Sequence, residues 1–164
     1  MAPPSLELTS HGPGETQQLG GIIGKLAQAG DIVLLSGPLG AGKTCLAQGI
    51  ARGLGVKEAT ASPSYVILRE FAGRLPLYHM DLYRLEFNEI GELGLDDYLY
   101  GSGVCVIEWA EKGMPLMPAE HLLLNLAYAG EERRSIEIAS VGTRYEKLAQ
   151  ELAAAWKSAK KDNA

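Results

Sequence analysis

The chain has 164 residues, a length that suits one domain of ordinary size. Its composition is 46% hydrophobic and 21% charged, which excludes a disordered or fibrous protein, and no apolar run approaches the roughly 20 residues that span a bilayer. The formal net charge of −5 disfavours tight autonomous binding to a nucleic acid, although a partner could hold one on its behalf.

The amino terminus and the cysteines indicate a cellular compartment. Residues Met1 to Ser10 lack a basic segment followed by an apolar core, so we expect no signal peptide. The two cysteines, Cys45 and Cys105, are expected to be reduced thiols and not a disulfide. We therefore expect a cytoplasmic protein that makes no use of a membrane.

The first half of the chain predicts alternating helices and strands. Residues 1–14 are rich in Pro, Gly and Ser and predict a loose arm. Apolar residues recur at helical spacing from Leu19 to Leu26, which predicts a helix capped by Thr16 and ending near Ala29. The elements predicted next are a buried strand Ile32–Leu35, a helix from Lys43 to about Leu54, and strands Tyr65–Phe71 and Leu77–Asp81.

The second half predicts short helices, one buried strand, a hairpin and a long helix. Residues 86–100 are predicted to form two short helices that break at Gly94, and a continuous apolar strand is predicted from Val104 to Glu108. The remaining predicted elements are a hairpin of Leu122–Tyr128 and Arg134–Val141, then a helix that opens with the capping-box spacing of Thr143 and Glu146 and frays over residues 157–164.

The segment Gly37 to Thr44 carries the strongest functional signal. It fits the phosphate-loop pattern G-x-x-x-x-G-K-[ST], follows a predicted buried strand and opens a predicted helix. Glycines let successive N–H groups point at phosphate oxygens, and the dipole of the helix favours the same anion. The Lys43 ammonium would reach the β- and γ-phosphates, and the Thr44 hydroxyl would bind Mg²⁺. The predicted nucleotide contacts are Leu39, Gly40, Ala41, Gly42, Lys43, Thr44 and Cys45.

The predicted fold follows from this motif and the order of elements. Alternating strands and helices followed by a hairpin favour a three-layer α/β domain that resembles the P-loop NTPases, with a mixed sheet. We expect this single domain to cover residues 1–164, with the hairpin near its C-terminus.

Acidic residues at two predicted strand ends could complete the site. A phosphate loop needs an acid on a neighbouring strand to hold the magnesium shell, and both Asp81 and Glu108 end apolar runs. One could hold the metal while the other orients the attacking water; either could instead be a solvated strand-end acid or a helix cap. Trp109 lies beside Glu108 and hence near the nucleotide, and His79 is expected to be a packed strand residue, not a zinc ligand.

Two further features concern the γ-phosphate and the base. A hydroxyl in Ser62-Pro63-Ser64-Tyr65 could sense the γ-phosphate, as switch loops do, or the segment could be an ordinary turn. The chain contains no Asn-Lys-x-Asp segment, the usual guanine-reading motif, so ATP is favoured over GTP.

Together, four segments resemble the TsaE (YjeE) family of bacterial ATPases in tRNA threonylcarbamoyladenosine synthesis. They are the phosphate loop, residues 62–65, Tyr78-His79-Met80-Asp81-Leu82-Tyr83-Arg84-Leu85, and Val106-Ile107-Glu108-Trp109-Ala110-Glu111. The resemblance covers roughly Thr16 to Val141. The Asp-Leu-Tyr-Arg-Leu block followed by Ile-Glu-Trp is specific, whereas the phosphate loop alone is not.

The resemblance implies a partner-dependent ATPase. It implies TsaD and TsaB as partners, contact with tRNA only through that complex, and slow hydrolysis by the isolated chain. In that reading Thr44 and Glu108 serve Mg²⁺, Asp81 is needed for hydrolysis, and Ser64 stands where the family usually has Thr. Thr16 matches a residue near the adenine and Arg134 one near the nucleotide, while Cys45 replaces a common Thr and contributes its backbone N–H.

Two other functions fit the same motif. A P-loop small-molecule kinase would need an acceptor site and usually an arginine-rich lid, and the only adjacent arginines are Arg133 and Arg134. A nucleotide-gated adaptor would assemble with its partners on binding ATP without requiring hydrolysis.

Neither Arg84 nor Arg134 has a spacing that forces it onto the γ-phosphate, so no arginine finger is predicted.

Overall fold

The computed structural model describes residues 4–57 and 67–162, which here form seven strands and five α-helices. The strands are β1 (Ser5–Ser10), β2 (Ile32–Ser36), β3 (Leu68–Phe71), β4 (Leu77–Asp81), β5 (Val104–Glu108), β6 (His121–Tyr128) and β7 (Arg134–Val141). The helices are α1 (Pro13–Leu26), α2 (Lys43–Gly53), α3 (Phe87–Glu92), α4 (Asp96–Leu99) and α5 (Thr143–Asp162), with 3₁₀ turns at Ala110–Lys112 and Met114–Leu116.

The strands form one mixed sheet in the order β1-β7-β6-β2-β5-β4-β3. Strand β2 pairs in parallel with β5 and β6, and β4 pairs in parallel with β5. The pairs β1–β7, β6–β7 and β3–β4 are antiparallel. All residues of β2 and β5 are buried, as expected for central strands covered on both faces. The predicted α/β class, mixed sheet and late hairpin are confirmed.

The register of the parallel strands gathers their carboxyl ends at one edge of the sheet. Leu35 of β2 pairs with Glu108 of β5, and Glu108 pairs with Asp81 of β4. The loop that leaves β2 therefore starts beside both strand-end acids. In open α/β sheets this edge is where ligands bind.

Helices α1 and α2 touch backbone to backbone. A methyl group added at Gly20 would collide with the carbonyl oxygen of Leu46, and one at Gly49 would collide with that of Gln17. Because no side chain separates the helices here, α1 lies directly against the helix that follows the phosphate loop. Side chains at these positions would force the two helices apart.

The beginning of β2 is anchored to α5 by a largely buried ion pair. Arg144 donates from Nε and Nη2 to the two carboxylate oxygens of Asp31, at 3.0 and 2.6 Å. The backbone N–H of Gln28 donates to the same carboxylate at 2.8 Å, and that of Ile32 donates to the Tyr145 hydroxyl at 2.9 Å. These bonds hold the start of β2, opposite the edge at which Glu108 lies.

The prediction of a loose arm over residues 1–14 was wrong for residues 4–14, and residues 1–3 lie outside the described ranges. Residues Ser5–Ser10 pair along their whole length with β7, and Leu6 and Leu8 pack on the core from alternate positions. Helix α1 begins at Pro13, with Gly12 as its N-cap, so Thr16 does not cap it. Thr16 is instead buried inside the first turns, where its hydroxyl lies 2.7 Å from that of Ser10.

The predicted boundaries of the last helix were also wrong. Helix α5 continues through the segment predicted to fray, as far as Asp162, and Lys160 forms an ion pair with Glu15 of α1. The backbone N–H groups of Tyr145 and Glu146 donate to the carbonyl oxygen of Gly142, so the helix is capped there and not at Thr143. Across residues 4–57 and 67–162, no helix is both long and apolar enough to cross a membrane.

Candidate nucleotide-binding site

The predicted phosphate loop connects β2 to α2 and depends on glycines at its turns. Gly40 and Gly42 have positive φ angles of 80° and 107°, a conformation that glycine adopts without strain. Gly42 is the N-cap of α2. The loop therefore delivers its backbone to the amino end of a helix, where free N–H groups and the helix dipole favour a phosphate.

Lys43 is buried inside this loop. Its ammonium donates to the carbonyl oxygens of Gly37 and Pro38, the latter at 2.9 Å, and lies 3.9 Å from the centre of the Trp109 ring. Burial lowers the pKa of Lys43, and the negative charges of Glu111, Glu108 and Asp81 oppose that shift. Three carboxylates are thus close enough to act on one cation.

Thr44 and Glu108 form the candidate metal centre. The Thr44 hydroxyl donates to Oε1 of Glu108 at 2.7 Å, and Glu108 is only 2% exposed. Adjacent oxygens around an octahedral Mg²⁺ stand about 2.9 Å apart at its usual bond length, so this hydroxyl and carboxylate fit the ion. Within the described ranges, no group of three or more His, Cys, Asp or Glu could hold a metal ion.

Asp81 lies at the end of β4 beside Glu108. Its Oδ1 accepts a hydrogen bond from the backbone N–H of Tyr83 at 2.9 Å, which closes the turn after the strand. Its negative charge, like that of Glu108, opposes the lowering of the Lys43 pKa, so both strand-end acids lie close enough to the loop to act on its lysine. The structure therefore brings together Lys43, Thr44, Asp81 and Glu108, as the sequence predicted.

Trp109 redirects the chain after β5. It has a φ of 57°, a left-handed conformation that costs a non-glycine residue about 1–3 kcal/mol. The centre of its ring lies 4.7 Å from the centre of the Tyr83 ring, and the Lys43 ammonium lies over the Trp109 ring. Trp109 therefore lines the site next to the phosphate loop, where its place beside Glu108 predicted it.

Glu111 is a site residue to which sequence reasoning assigned no role. Its Oε2 accepts a hydrogen bond of 3.0 Å from the backbone N–H of Gly37, the first residue of the loop. The 3₁₀ turn that follows Trp109 brings it back over the loop. The signals in the sequence are its position three residues after Glu108 and its place in one of the segments that carry the family resemblance.

Two cavities flank the phosphate loop. One has a volume of about 300 Å³ and is lined by Gly12, Pro13, Thr16, Gly40, Ala41, Gly42, Cys45, Glu131, Glu132 and Arg134. The other has a volume of about 500 Å³ and is lined by Ser36, Gly37, Pro38, Trp109, Glu111, Leu123, Asn125 and Glu137.

The first cavity collects the residues predicted to lie near the nucleoside. Arg134 reaches the carbonyl oxygen of Gly40 at 3.4 Å and lies 4.7 Å from the ring centre of Tyr128, whose hydroxyl donates to the carbonyl of Leu39. Thr16 forms another wall. Burial raises the pKa of the Cys45 thiol, which donates to the Pro13 carbonyl.

One predicted site residue cannot be placed. Ser64 lies outside the described residues, so its role as a γ-phosphate sensor stays a prediction. Both Cys45 and Cys105 are free thiols, as expected.

The sheet, the glycine loop and the strand-end acids define a domain of the P-loop NTPase-like class. Residues 10–136 match the family model described as threonylcarbamoyl adenosine biosynthesis protein TsaE. The chain belongs to the TsaE family, whose members take part in making threonylcarbamoyladenosine in tRNA.

Individual relatives agree with this assignment. The chain is 44% identical to the tRNA threonylcarbamoyladenosine biosynthesis protein TsaE of Bacillus subtilis, over 85% of this chain and 89% of that protein. It is 40% identical to the Treponema pallidum protein of the same name, over 76% and 93%. The crystal structure of Bacillus subtilis YdiB matches with a TM-score of 0.83 and 38% identity, over 94% of this chain and 97% of that one.

Proposed function

We propose that this protein is a cytoplasmic ATPase that binds ATP with Mg²⁺ and hydrolyses it slowly on its own. Its hydrolysis would support TsaD and TsaB in the threonylcarbamoyladenosine modification of tRNA, which the protein would contact only through that complex. The observation that carries the proposal is the pairing of Thr44 with buried Glu108 at 2.7 Å, next to the lysine of a glycine loop.

Each part of the site has a role in this proposal. The ammonium of Lys43 exchanges the loop carbonyls for the β- and γ-phosphates, while backbone N–H groups from Leu39 to Cys45 bind phosphate oxygens. Thr44 and Glu108 would hold Mg²⁺, which would supply positive charge against the phosphates. Either Asp81 or Glu108 orients the attacking water.

The nucleoside would occupy the cavity that Thr16 and Arg134 line. Its walls are the start of α1, the phosphate loop and the β6–β7 turn. The lack of the guanine-reading motif favours adenine as the base. Trp109 would approach the phosphate end of the nucleotide from the other side, and the role of Ser64 as a γ-phosphate sensor stays a prediction.

The position of Arg134 supports a dependence on partners. Its cavity shares no lining residue with the one beside Trp109 and Glu111, so the latter receives no arginine from the described residues that line it. A missing arginine finger can slow a P-loop enzyme by roughly 10³ to 10⁵ until a partner supplies or aligns the charge. The net charge of −5 agrees with a more basic partner holding the tRNA.

Steady-state hydrolysis tests the proposal at fixed Mg²⁺ with and without TsaD and TsaB. We expect a slow basal rate that the partners raise, with Lys43→Ala as the control for contaminating ATPase. A fast basal rate unaffected by the partners would favour an independent ATPase or a kinase. Modification of tRNA by hydrolysis-deficient variants would favour the adaptor.

A further inference from the structure

His79 lies behind the candidate metal ligand. It is in β4, two residues before Asp81, and its Nε2 is 2.6 Å from Oε2 of Glu108. His79 is 1% exposed and Glu108 2%, so the contact is made out of water. The histidine that the sequence assigned to packing is therefore hydrogen-bonded to the acid of the site.

The two carboxylate oxygens of Glu108 have different partners. Oε1 accepts from the Thr44 hydroxyl at 2.7 Å, and Oε2 accepts from the His79 ring. The terminal torsion of a glutamate side chain is broad and roughly two-fold, so packing alone would leave the oxygens interchangeable. The imidazole N–H removes that freedom, because it fixes one oxygen and leaves the other beside Thr44.

The hydroxyl and the imidazole also differ in what they can do when a cation arrives. The Thr44 hydroxyl can rotate so that its oxygen lone pair points at Mg²⁺. Oε1 of Glu108 then loses this hydrogen bond and can bind the same ion. A ring N–H can only donate, so His79 keeps hold of Oε2 throughout. A buried carboxylate that lost this donor would be left with an unsatisfied oxygen, which is unfavourable in a dry site.

We propose that His79 is a positioning residue for magnesium: it holds Oε2 of Glu108 so that Oε1 is presented with the Thr44 hydroxyl as a pair of ligands. This inference rests on the proposed function, in which these two residues hold the ion. Partners of this kind behind metal ligands typically change metal affinity by about 10- to 100-fold when they are lost.

The experiment measures ADP affinity by calorimetry over a series of Mg²⁺ concentrations and in EDTA, with the full chain. His79→Gln keeps an N–H at the position of Nε2, whereas the amide of His79→Asn is too short to reach Glu108. We expect His79→Asn to weaken the apparent Mg²⁺ affinity by about 10- to 100-fold and His79→Gln to restore most of it. ADP affinity in EDTA should stay unchanged in both.

Glu108→Gln separates failure of the inference from failure of the proposed function. If Glu108→Gln weakens Mg²⁺ binding but His79→Asn does not, the positioning role is overturned and the metal site stands. If Glu108→Gln leaves the Mg²⁺ dependence unchanged, the metal assignment itself is overturned. Equal losses of ADP affinity with Mg²⁺ and in EDTA for His79→Asn would show a structural effect and overturn the inference.

The double variant adds an independent readout. Because both residues act through the same ligand, adding His79→Asn to Glu108→Gln should cause little further loss of Mg²⁺ affinity. Independent, additive losses would contradict the proposal. Thermal unfolding of every variant confirms that folded proteins are compared.

Discussion

Two buried acids at opposite ends of the central strands show how one fold separates stability from chemistry. Asp31 precedes β2 and Glu108 ends β5, its parallel neighbour. Asp31 receives a two-pronged guanidinium and a backbone N–H, all fixed donors. Glu108 receives an imidazole and a hydroxyl, and the hydroxyl can turn away from it.

The difference lies in whether a partner can be exchanged. Nothing in the Arg144 fork can accept a cation, so the Asp31 end can only hold the chain together. The hydrogen bond to Asp31 raises the pKa of Arg144, so the guanidinium stays charged. At the Glu108 end, one hydrogen bond of two can give way to a metal. Substitutions at the two ends should therefore affect different measurements.

The largest expected effect is on folding, at the Asp31 end. Asp31→Asn removes one charge of a largely buried pair and leaves Arg144 without its counter-charge. We expect the free energy of unfolding to fall by about 3 kcal/mol, measured by urea denaturation. The Mg²⁺ dependence of ADP binding, measured on the folded variant, should stay that of the unchanged protein. If Asp31→Asn altered the Mg²⁺ dependence of ADP binding and left the free energy of unfolding unchanged, Asp31 would serve the site and not the stability of the fold.

Lys43→Ala tests the other end of the central strands, where Glu108 and the candidate site lie. It removes the cation where the β- and γ-phosphates converge, so turnover should fall by about 10²-fold or more in a hydrolysis assay. Because burial disfavours the charge of this lysine, as its lowered pKa shows, we expect no loss of thermal stability. Turnover equal to that of the unchanged protein would remove the basis for assigning a phosphate loop.

Glu111→Gln tests whether the negative charge of this carboxylate opposes ATP binding at the site. The Glu111 carboxylate accepts from Gly37 N–H and faces the cavity that would lie near a triphosphate. Replacing the charge by an amide of equal volume should tighten ATP binding, by up to about tenfold, because a repulsion is removed. Calorimetry at saturating Mg²⁺ measures this, with Glu137→Gln in the same cavity as a matched control. Weaker ATP binding would show that the carboxylate contributes favourably.

The smallest expected effect concerns the ion pair between Glu15 and Lys160, which is far more exposed than Asp31. Partial burial opposes the shift, but hydrogen bonds from Lys160 and His11 lower the pKa of Glu15 to about 2. A lowered pKa stabilises the fold above the unfolded value of 4.5, and that stability is lost as the pH falls towards about 2.

Glu15→Gln should accordingly lower the free energy of unfolding by no more than about 1 kcal/mol at pH 7. The difference from the unchanged protein should vanish as the pH falls through the window from 4.5 to about 2. Urea denaturation at several pH values measures it. A difference that persists at the acid end of that window would mean that the ion pair is not its cause.

The sequence predicted what depends on local pattern. The phosphate loop has a fixed spacing of glycines before Lys43, and the strand-end acids follow apolar runs, so both could be predicted without knowledge of strand pairing. Strand β1 could not, because its alternation is short and its pairing with β7 is decided by a segment more than a hundred residues away.

The finer contacts of the site depend on geometry that no local pattern carries. The bond between His79 and Glu108 requires β4 and β5 to be neighbours in a particular register. The position of Glu111 requires the left-handed turn at Trp109, a conformation unusual for that residue type. For Ser64, outside the described residues, the prediction stands as made.

The contact of α1 with α2 at Gly20 and Gly49 has a consequence for selectivity. Because the two backbones meet directly, the distance between α1 and the phosphate loop is fixed across the cavity that we propose for the nucleoside. Glycine has no side chain to make smaller at those contacts, and an added side chain would collide with the backbone of the other helix. A change of preferred base would therefore have to come from the third wall, the β6–β7 turn that carries Glu131, Glu132 and Arg134.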